Sequence, residues 1–445
     1  MTAPIAAPKD VHAKALAINL DQTKYGSIAE IGAGQEVARW FLRAGAASGT
    51  VARTISAYDK VVSDKTYGAG TRYVSKERLQ AMLDFEYKLL THELGEVRGA
   101  NTKFFAFADT VSARNFQGTN EQHGWIGIRF QAEPAGESND VLLHVNLMDH
   151  TNQQQQEAVG KLGVNLVYGA FHERDSSEEF LRGLYEELTP TNLEIDVLEL
   201  SGPAFKEFDH RLWCLELLGL GMAPVITFDG DAKVTEPSSL LRKRPLVVHR
   251  GTVATGEPYH KQALEASERQ LRVEEAALSR EPASVVEITT RSAMGTTGDL
   301  DLPAILARVE SVAHFGGVLV SVYPETYLLM EYLRRHTTEP VRLVAGVSSF
   351  ARILEESFYK DLPGSILEGL GKLLATNLKV HVVPMPRDEF IRVLGGIPEG
   401  LTLSETVKGF VTADDLHFEP PNGHLYRYAR DAGRIVPLPV SAEWA

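Results

Sequence analysis

The chain has 445 residues, of which 44% are hydrophobic and 23% are charged, and these proportions exclude a disordered or fibrous protein. The 45 Lys and Arg against 59 Asp and Glu leave a formal net charge of −14. Because no long basic run interrupts this acidity, we expect no nucleic-acid partner. No stretch reaches the ~18 consecutive apolar residues of a spanning helix, and the start of the chain lacks a signal-peptide pattern. We therefore expect a cytoplasmic protein with no membrane span.

The first part of the chain mixes helix and strand patterns. Apolar residues at three- and four-residue spacing predict a helix over about 35–46, and a second helix over about 75–93 has Ser75 as its N-cap. Strand patterns follow at 103–109, 125–130 and 141–147. The last two are joined by a turn-rich connector, which predicts an antiparallel hairpin.

From residue 153 onward, predicted helices alternate with predicted strands, which indicates a mainly parallel sheet with helices on its faces. A charged helix over about 261–279 interrupts the series. Beyond it we predict strands at 284–290, 318–322, 341–345 and 378–383, and helices at 303–313, 326–336, 350–356 and 365–374. Residues 423–438 alternate around an Asp-Ala-Gly turn, which predicts a terminal β-hairpin.

These patterns predict the α/β class, with two mainly parallel α/β halves, helices on both sheet faces and a C-terminal β-hairpin. We place an N-terminal α/β domain with some antiparallel strands at residues 1–250 and a helical linker at 251–282. A C-terminal doubly wound α/β domain follows at 283–445. The boundary is placed where strand signals stop and the density of charge rises.

A Gly-x-Gly segment lies at the start of the first predicted helix. Backbone N–H groups at a helix start bind anions such as phosphate, so Gly32, Gly34 and Gln35 are candidate cofactor-binding residues. The third glycine of the dinucleotide fingerprint is replaced by Val37, and the loop comes a dozen residues after the nearest predicted apolar segment. The alternative is a tight turn that lets the helix pack closely.

Asp109 ends a strongly apolar strand, at the edge where open α/β sheets bind ligands. Arg114, His123 and Arg129 follow it. Guanidinium groups bind phosphate or carboxylate, and an imidazole exchanges protons near neutral pH. We therefore predict Asp109, Arg114, His123 and Arg129 as catalytic candidates. The alternative is an Asp–Arg pair that orients a loop, with Arg129 on the solvent face of its strand.

The remaining histidines and the cysteine predict no metal site. His144 and His150 are six residues apart, His249 and His260 are eleven apart, and neither spacing is that of a metal-binding motif. The single Cys214 forms no internal disulfide and no cysteine-rich site. The sequence identifies no cofactor.

Several segments together resemble a family of uncharacterised bacterial proteins, and the resemblance spans most of the chain. The segments are 30–41, 54–68, 104–114, 123–131, 160–171 and 361–373. Family members are often labelled nicotinate-nucleotide adenylyltransferase or TonB-dependent receptor. The receptor label disagrees with the absence of a signal-peptide pattern.

The adenylyltransferase label can be compared with the sequence. Such enzymes resemble one another in Gly-[Thr/Ser]-Phe-Asp-Pro followed by His-x-Gly-His. The nearest segment here, 248–261, retains Gly251, Thr252 and His260 but has neither Phe-Asp-Pro nor the second histidine. The resemblance implies that Gly251 and Thr252 bind a nucleotide.

Two hypotheses about function follow. The first is a protein that binds a nucleotide or another phosphorylated small molecule, with a nucleotidyltransferase-like activity if it is an enzyme. The second is a non-catalytic, self-assembling scaffold whose terminal hairpin adds to a neighbour's sheet. We expect a homo-oligomer. One pocket lined by Asp109, Arg114 and Arg129 would favour the first hypothesis, and three separate locations would remove its main support.

Overall fold

The computed structural model describes residues 10–70, 72–251, 257–275, 278, 280–290, 300–375, 377–405 and 409–440. The chain divides into two compact units, Met1–Pro224 and Val225–Ala445. Each unit holds a central sheet with helices packed on it, which confirms the α/β class. Among the helices described, none is long and apolar enough to cross a membrane.

The first unit is built on a six-stranded sheet with the order β2-β1-β3-β4-β5-β6. Its strands are β1 Lys24–Ile31, β2 Val51–Ile55, β3 Lys103–Ser112, β4 His123–Gln131, β5 Ser138–Leu147 and β6 Leu193–Ser201. Its helices are α1 Val11–Leu20, α2 Glu36–Ala44, α3 Lys60–Tyr67, α4 Lys76–Arg98, α5 Asn152–His172, α6 Ser177–Leu184 and α7 His210–Gly219.

Strand direction in this sheet is mixed. β1 pairs in parallel with β2 and β3, whereas β3–β4, β4–β5 and β5–β6 are antiparallel. The predicted hairpin is confirmed as β4–β5. The expectation of a mainly parallel half is corrected here. Short connections let β3, β4 and β5 pair with their neighbours in sequence, and β6 adds antiparallel to β5 after the helices α5 and α6.

Helices cover both faces of the first sheet. A Cβ built on Gly163 of α5 would lie 2.9 Å from the ring of Phe107, and one built on Gly127 would lie 3.1 Å from Leu79 of α4. Side chains at odd and even positions of β3 therefore point to α5 and α4 respectively, because successive residues of a strand face opposite sides.

Strand β1 is absent from the sequence-based prediction. Its residues Lys24, Ser27 and Glu30 are polar yet fully buried, so the strand shows neither an apolar run nor a clean alternation. The Gly32 loop therefore directly follows a strand and precedes helix α2, as in a nucleotide-binding unit. Strand β1 fills the interval of a dozen residues between the predicted apolar segment and the loop.

The second unit is built on a seven-stranded sheet with the order β17-β12-β11-β8-β9-β10-β7. Its strands are β7 Val225–Phe228, β8 Leu246–Gly251, β9 Ala283–Thr289, β10 Val318–Ser321, β11 Val341–Gly346, β12 Leu378–Val383 and β17 Ile435–Pro437. Two small ribbons join β13 Met385–Pro386 to β15 Phe410–Val411, and β14 Leu401–Leu403 to β16 Leu416–Phe418. The helices are α8 Pro237–Leu241, α9 Glu257–Glu274, α10 Leu302–Val312, α11 Thr326–His336, α12 Val347–Ile353, α13 Ser365–Leu373, α14 Arg387–Leu394 and α15 Asn422–Asp431.

This second sheet is doubly wound, as predicted. Only the β10–β7 pairing is antiparallel among those described. After the edge strand β7, the chain enters the central strand β8 and continues outward through β9 and β10. It then returns to the other side of β8 and continues through β11, β12 and β17. The strand order therefore reverses between β8 and β11, and such a switch point leaves a crevice at the carboxyl ends of the two strands.

Backbone pairing differs from the sequence-based boundary near residue 250. Both β7 and β8 belong to the second sheet, where β7 pairs with β10 and β8 lies between β11 and β9. Helix α9, which falls in the predicted linker, packs on β8 and β11. A parallel strand pairs with residues that lie far away in sequence, and local patterns cannot show this.

The predicted terminal hairpin is wrong. Residues Asn422–Asp431 form helix α15, and Ile435–Pro437 then pairs in parallel with β12. Gly423, Tyr426 and Ala429 are buried at three-residue spacing, so one helical face packs on the unit. The Asp-Ala-Gly segment is where this helix ends and not a hairpin turn.

Candidate functional site

The helix start beside the Gly-x-Gly loop of the first unit already binds an acidic side chain of its own chain. The Glu30 carboxylate accepts hydrogen bonds from the Val37 and Ala38 backbone N–H groups at 2.9 and 3.0 Å, at the start of α2. The N–H groups that the sequence analysis assigned to phosphate are thus occupied by a buried side chain. The side chain of Gln35, at the N-cap position, makes no capping hydrogen bond.

The two glycines allow the backbone conformation of this loop. Gly32 has φ +101°, and a Cβ there would lie 1.8 Å from the Val111 carbonyl oxygen. Gly34 has φ +85°, and a Cβ there would make only an ordinary 4.0 Å contact with the Gln156 side chain, so conformation alone favours glycine there. These observations favour the close-packing alternative for Gly32.

Asp109 lies beside Glu30, because these residues pair across β1 and β3. Its Oδ1 accepts a hydrogen bond from the Ile31 N–H at 3.1 Å. Burial and the Glu30 charge raise the pKa of Asp109 well above its usual range. Burial also raises the pKa of Glu30 to about 7. Asp109 is therefore a buried carboxylic acid that holds its proton to a higher pH than an exposed aspartate does.

Arg129 lies on the other face of the sheet. Along the β3–β4 pair, Ile126 is opposite Asp109 and Arg129 is opposite Ala106, so Asp109 and Arg129 point in opposite directions. Arg129 forms a bidentate ion pair with Asp140, in which both N···O distances are 2.7 Å. It also forms an ion pair with Asp84 of α4. Arg129 is thus held in ion pairs on the face that α4 covers, whereas the alternative interpretation had placed it on a solvent face.

The other two predicted catalytic residues lie elsewhere again. Arg114 follows β3, its backbone N–H bonds to Gln155 of α5, and its half-buried guanidinium lies against Gly118. His123 begins β4, and its Nδ1 lies 2.9 Å from Nε2 of His144. The structure thus does not bring Asp109, Arg114 and Arg129 into one pocket.

A cavity of about 370 Å³ opens in the second unit at the switch point. Its walls come from the ends of β8 (His249, Arg250, Gly251) and β11 (Ala345, Gly346), together with the residues that follow them. This size is that of a small-molecule site. Gly346 leaves room for Tyr259, because a Cβ there would lie 2.8 Å from the Tyr259 hydroxyl, which also lines the cavity.

The cavity is positively charged although the chain is acidic. Arg250 and Arg352 line it, and none of the described lining residues is acidic. Arg250 is balanced by the buried Glu287, with Nε 3.2 Å from Oε2, and its Nη1 donates to Thr326 Oγ1 at 3.1 Å. The exposed Arg352 side chain makes no ion pair or hydrogen bond with the residues that the structure describes.

The cavity is lined by two kinds of side chain, one with hydroxyl groups and one apolar. Hydroxyl groups come from Thr326, Ser348 and Ser349, which can donate to or accept from a ligand. A second set of lining residues is apolar and offers a surface for a ring: Leu343, Ile353, Met385 and Val393. Such a site suits a molecule with one anionic end and one flat organic end.

The segment that resembles adenylyltransferases contributes to this cavity in part. Gly251 lies in its wall, whereas Thr252 falls outside the described residues. His260 is fully buried, and its Nδ1 lies 2.7 Å from Nδ1 of His249. Burial lowers the pKa of His249 to about 3 and that of His260 to about 4. Both imidazoles are therefore neutral and add no positive charge for a phosphate.

Sequence reasoning missed Arg352 and its serine neighbours. They follow β11 directly, so the rule that ligands bind at a switch point would have identified them. That rule needs β8 and β11 to be neighbours, and the predicted boundary had assigned β8 to the other domain. The missing signal was strand order, which no local pattern carries.

Comparison with known proteins does not assign this chain to a family. No protein-family model and no curated protein matches the chain. Among solved structures, the competence/damage-inducible protein CihA from Agrobacterium tumefaciens has a TM-score of 0.26 and 18% identity, over 37% of this chain and 96% of that one. A competence-damaged protein (CinA) superfamily member from Enterobacter cloacae has a TM-score of 0.28 and 11% identity, over 38% and 98%. These names differ from both labels of the family that the sequence resembles, and likeness at this level does not indicate what the chain binds.

Proposed function

We propose that the second unit binds a nucleotide, or a phosphorylated metabolite of similar size, in the cavity between β8 and β11. The observation that carries the proposal is Arg352, an unbalanced guanidinium in a cavity without acidic lining among the described residues. A guanidinium offers several donors to a phosphate and stays charged at any physiological pH. The apolar wall then takes the base or another ring.

The self-assembly hypothesis has lost one of the features on which it rested, the terminal hairpin. The terminal segment that was to add a strand to a neighbouring sheet is helix α15. The proposal concerns binding and assigns no reaction, because Asp109, Arg114 and Arg129 do not share a pocket.

Native mass spectrometry of protein purified without added ligand is the first experiment. We expect a co-purifying species of nucleotide mass that is released on denaturation. Thermal unfolding with added ATP, AMP or inorganic phosphate then measures binding, because a ligand of the folded state raises the midpoint.

The matched variants are Arg352→Ala and Arg334→Ala. Arg334 is also an exposed arginine of the second unit, but it lines a different cavity. We expect Arg352→Ala to weaken nucleotide binding at least tenfold, which is a loss of about 1.4 kcal/mol, and Arg334→Ala to leave it unchanged. The proposal is wrong if none of these ligands shifts the midpoint, or if both variants bind equally well.

A further inference from the structure

Three consecutive antiparallel strands of the first unit place four polar side chains together. His123 is on β4, His144 and Asn146 are on β5, and Asp196 is on β6. His123 pairs with Asn146, and Trp125 pairs with His144, so the two histidines are diagonal neighbours on one face of the sheet. Their nearest ring nitrogens, His123 Nδ1 and His144 Nε2, are 2.9 Å apart.

A β-bulge directs Asp196 at this pair. His144 pairs with Val197 and the next residue, Val145, pairs with Ile195, so Asp196 is the extra residue on β6. Bulges re-aim a side chain and occur often beside functional sites. Here Asp196 Oδ1 lies 2.5 Å from His144 Nδ1, and Oδ2 accepts a hydrogen bond from Asn146 Nδ2 at 2.6 Å.

These contacts assign the proton on His144. The Asn146 amide nitrogen can only donate, and Asp196 as a carboxylate accepts at both oxygens. His144 Nδ1 therefore carries the hydrogen, and its Nε2 presents a lone pair toward His123. A carboxylate behind an imidazole, with the second imidazole nitrogen directed outward, is the arrangement found behind metal-binding histidines.

The arrangement is held rigidly. The side chains of His144 and Asp196 are 3% and 4% exposed, and the ring of Trp125 packs against His144 with centroids 5.2 Å apart. His123 is half-buried. A histidine that only formed a hydrogen bond to a neighbouring strand would not need a buried carboxylate, a bulge and an amide to fix its ring. A histidine whose lone pair must point at a bound ion does need its ring to be held in one orientation.

We propose that His123 Nδ1 and His144 Nε2 bind a divalent transition-metal ion of the zinc class, with Asp196 and Asn146 positioning His144. Zn–N bonds of about 2.0–2.1 Å at a tetrahedral angle separate two nitrogens by about 3.3 Å, so the rings need to move apart by only about 0.4 Å. His123 then carries its hydrogen on Nε2. The proposal does not depend on nucleotide binding by the second unit.

The sequence analysis expected no metal because it compared His144 only with His150, six residues away, and considered His123 separately as a catalytic candidate. The β4–β5 hairpin brings them together, and the sequence did predict that hairpin. Adding its register to the motif search would have placed the two histidines side by side.

Cobalt titration of the full chain after dialysis against a chelator tests the proposal. Co²⁺ gives visible d–d absorption bands when protein nitrogens bind it, and Zn²⁺ competes for the same ligands. We expect one Co²⁺ per chain, displaced by one Zn²⁺. Binding should fall at least tenfold in His123→Gln and about 10–100-fold in Asp196→Asn, which leaves both ligands in place.

His150→Gln is the matched control, because His150 is an exposed histidine of the same unit, and it should bind Co²⁺ like the original chain. Imidazole ¹⁵N NMR of the original chain adds a measurement that needs no variant. Zn²⁺ should move the His123 proton to Nε2 and leave the His144 proton on Nδ1. The proposal is overturned if the original chain binds no Co²⁺, if His123→Gln binds it equally well, or if Zn²⁺ leaves the His123 tautomer unchanged.

Discussion

Buried charge is the main theme at the scale of single residues. The first unit holds Glu30 and Asp109 side by side, 1% and 0% exposed, with no cation among their described hydrogen-bond partners. Buried acids of this kind stay protonated to a higher pH than exposed ones, because burial penalises the charged form. Their cost to stability therefore depends on pH.

Asp109→Asn should stabilise the protein increasingly as pH rises. The folded chain keeps a proton on Asp109 that the unfolded chain releases above its ordinary pKa of 3.8, so the free energy of unfolding falls with rising pH. Asparagine resembles the protonated acid and needs no proton. The difference in free energy of unfolding between variant and original chain should grow by about 1.4 kcal/mol per pH unit for as long as the folded chain keeps this proton and the unfolded chain does not.

Urea unfolding at pH 5, 6, 7 and 8 measures this slope. Asp175→Asn is the control, because the Asp175 side chain is 92% exposed and its replacement should leave the pH dependence unchanged. Equal slopes in Asp109→Asn and the original chain would show that Asp109 is ionised in the folded protein.

At the scale of elements, helix α9 is fixed to the second sheet by charge. Glu274 accepts from Arg342 of β11 at 2.8 Å and from Lys379 and His381 of β12 at 3.0 and 3.2 Å. Arg342 is itself 1% exposed. These contacts hold the pKa of Glu274 below its usual range despite its burial.

Glu274→Gln should destabilise the second unit by about 3 kcal/mol at pH 7, because it leaves the buried Arg342 with a single charged partner, the partly exposed Glu275. The depressed pKa means that this contribution is present above pH 4.5 and is lost as pH falls below it. Glu265→Gln, on the exposed side of the same helix, should change stability by less than about 0.5 kcal/mol. Urea unfolding at pH 7 compares the two, and equal losses would contradict the prediction.

At the scale of the whole molecule, the division of the chain follows strand pairing. We propose that residues 225–445 fold on their own and that residues 251–445 do not, because the shorter fragment lacks β7 and the central strand β8. The expected result is a cooperative unfolding transition for 225–445 only, measured by circular dichroism. A cooperative transition for 251–445 would instead support the boundary that charge and strand density predicted.

The sequence by itself determined the α/β class, most elements of the second unit, the β4–β5 hairpin and the Ser75 N-cap, since periodicity and capping are local properties. It concealed β1, whose buried residues are partly polar, and it indicated a hairpin where α15 packs Tyr426 and Ala429. Only tertiary structure decided which residues meet. Glu30 fills its own helix start, Arg129 faces away from Asp109, and Arg352 reaches the cavity because β11 lies beside β8. Each of these depends on strand order and register, which bring together residues that are far apart in sequence.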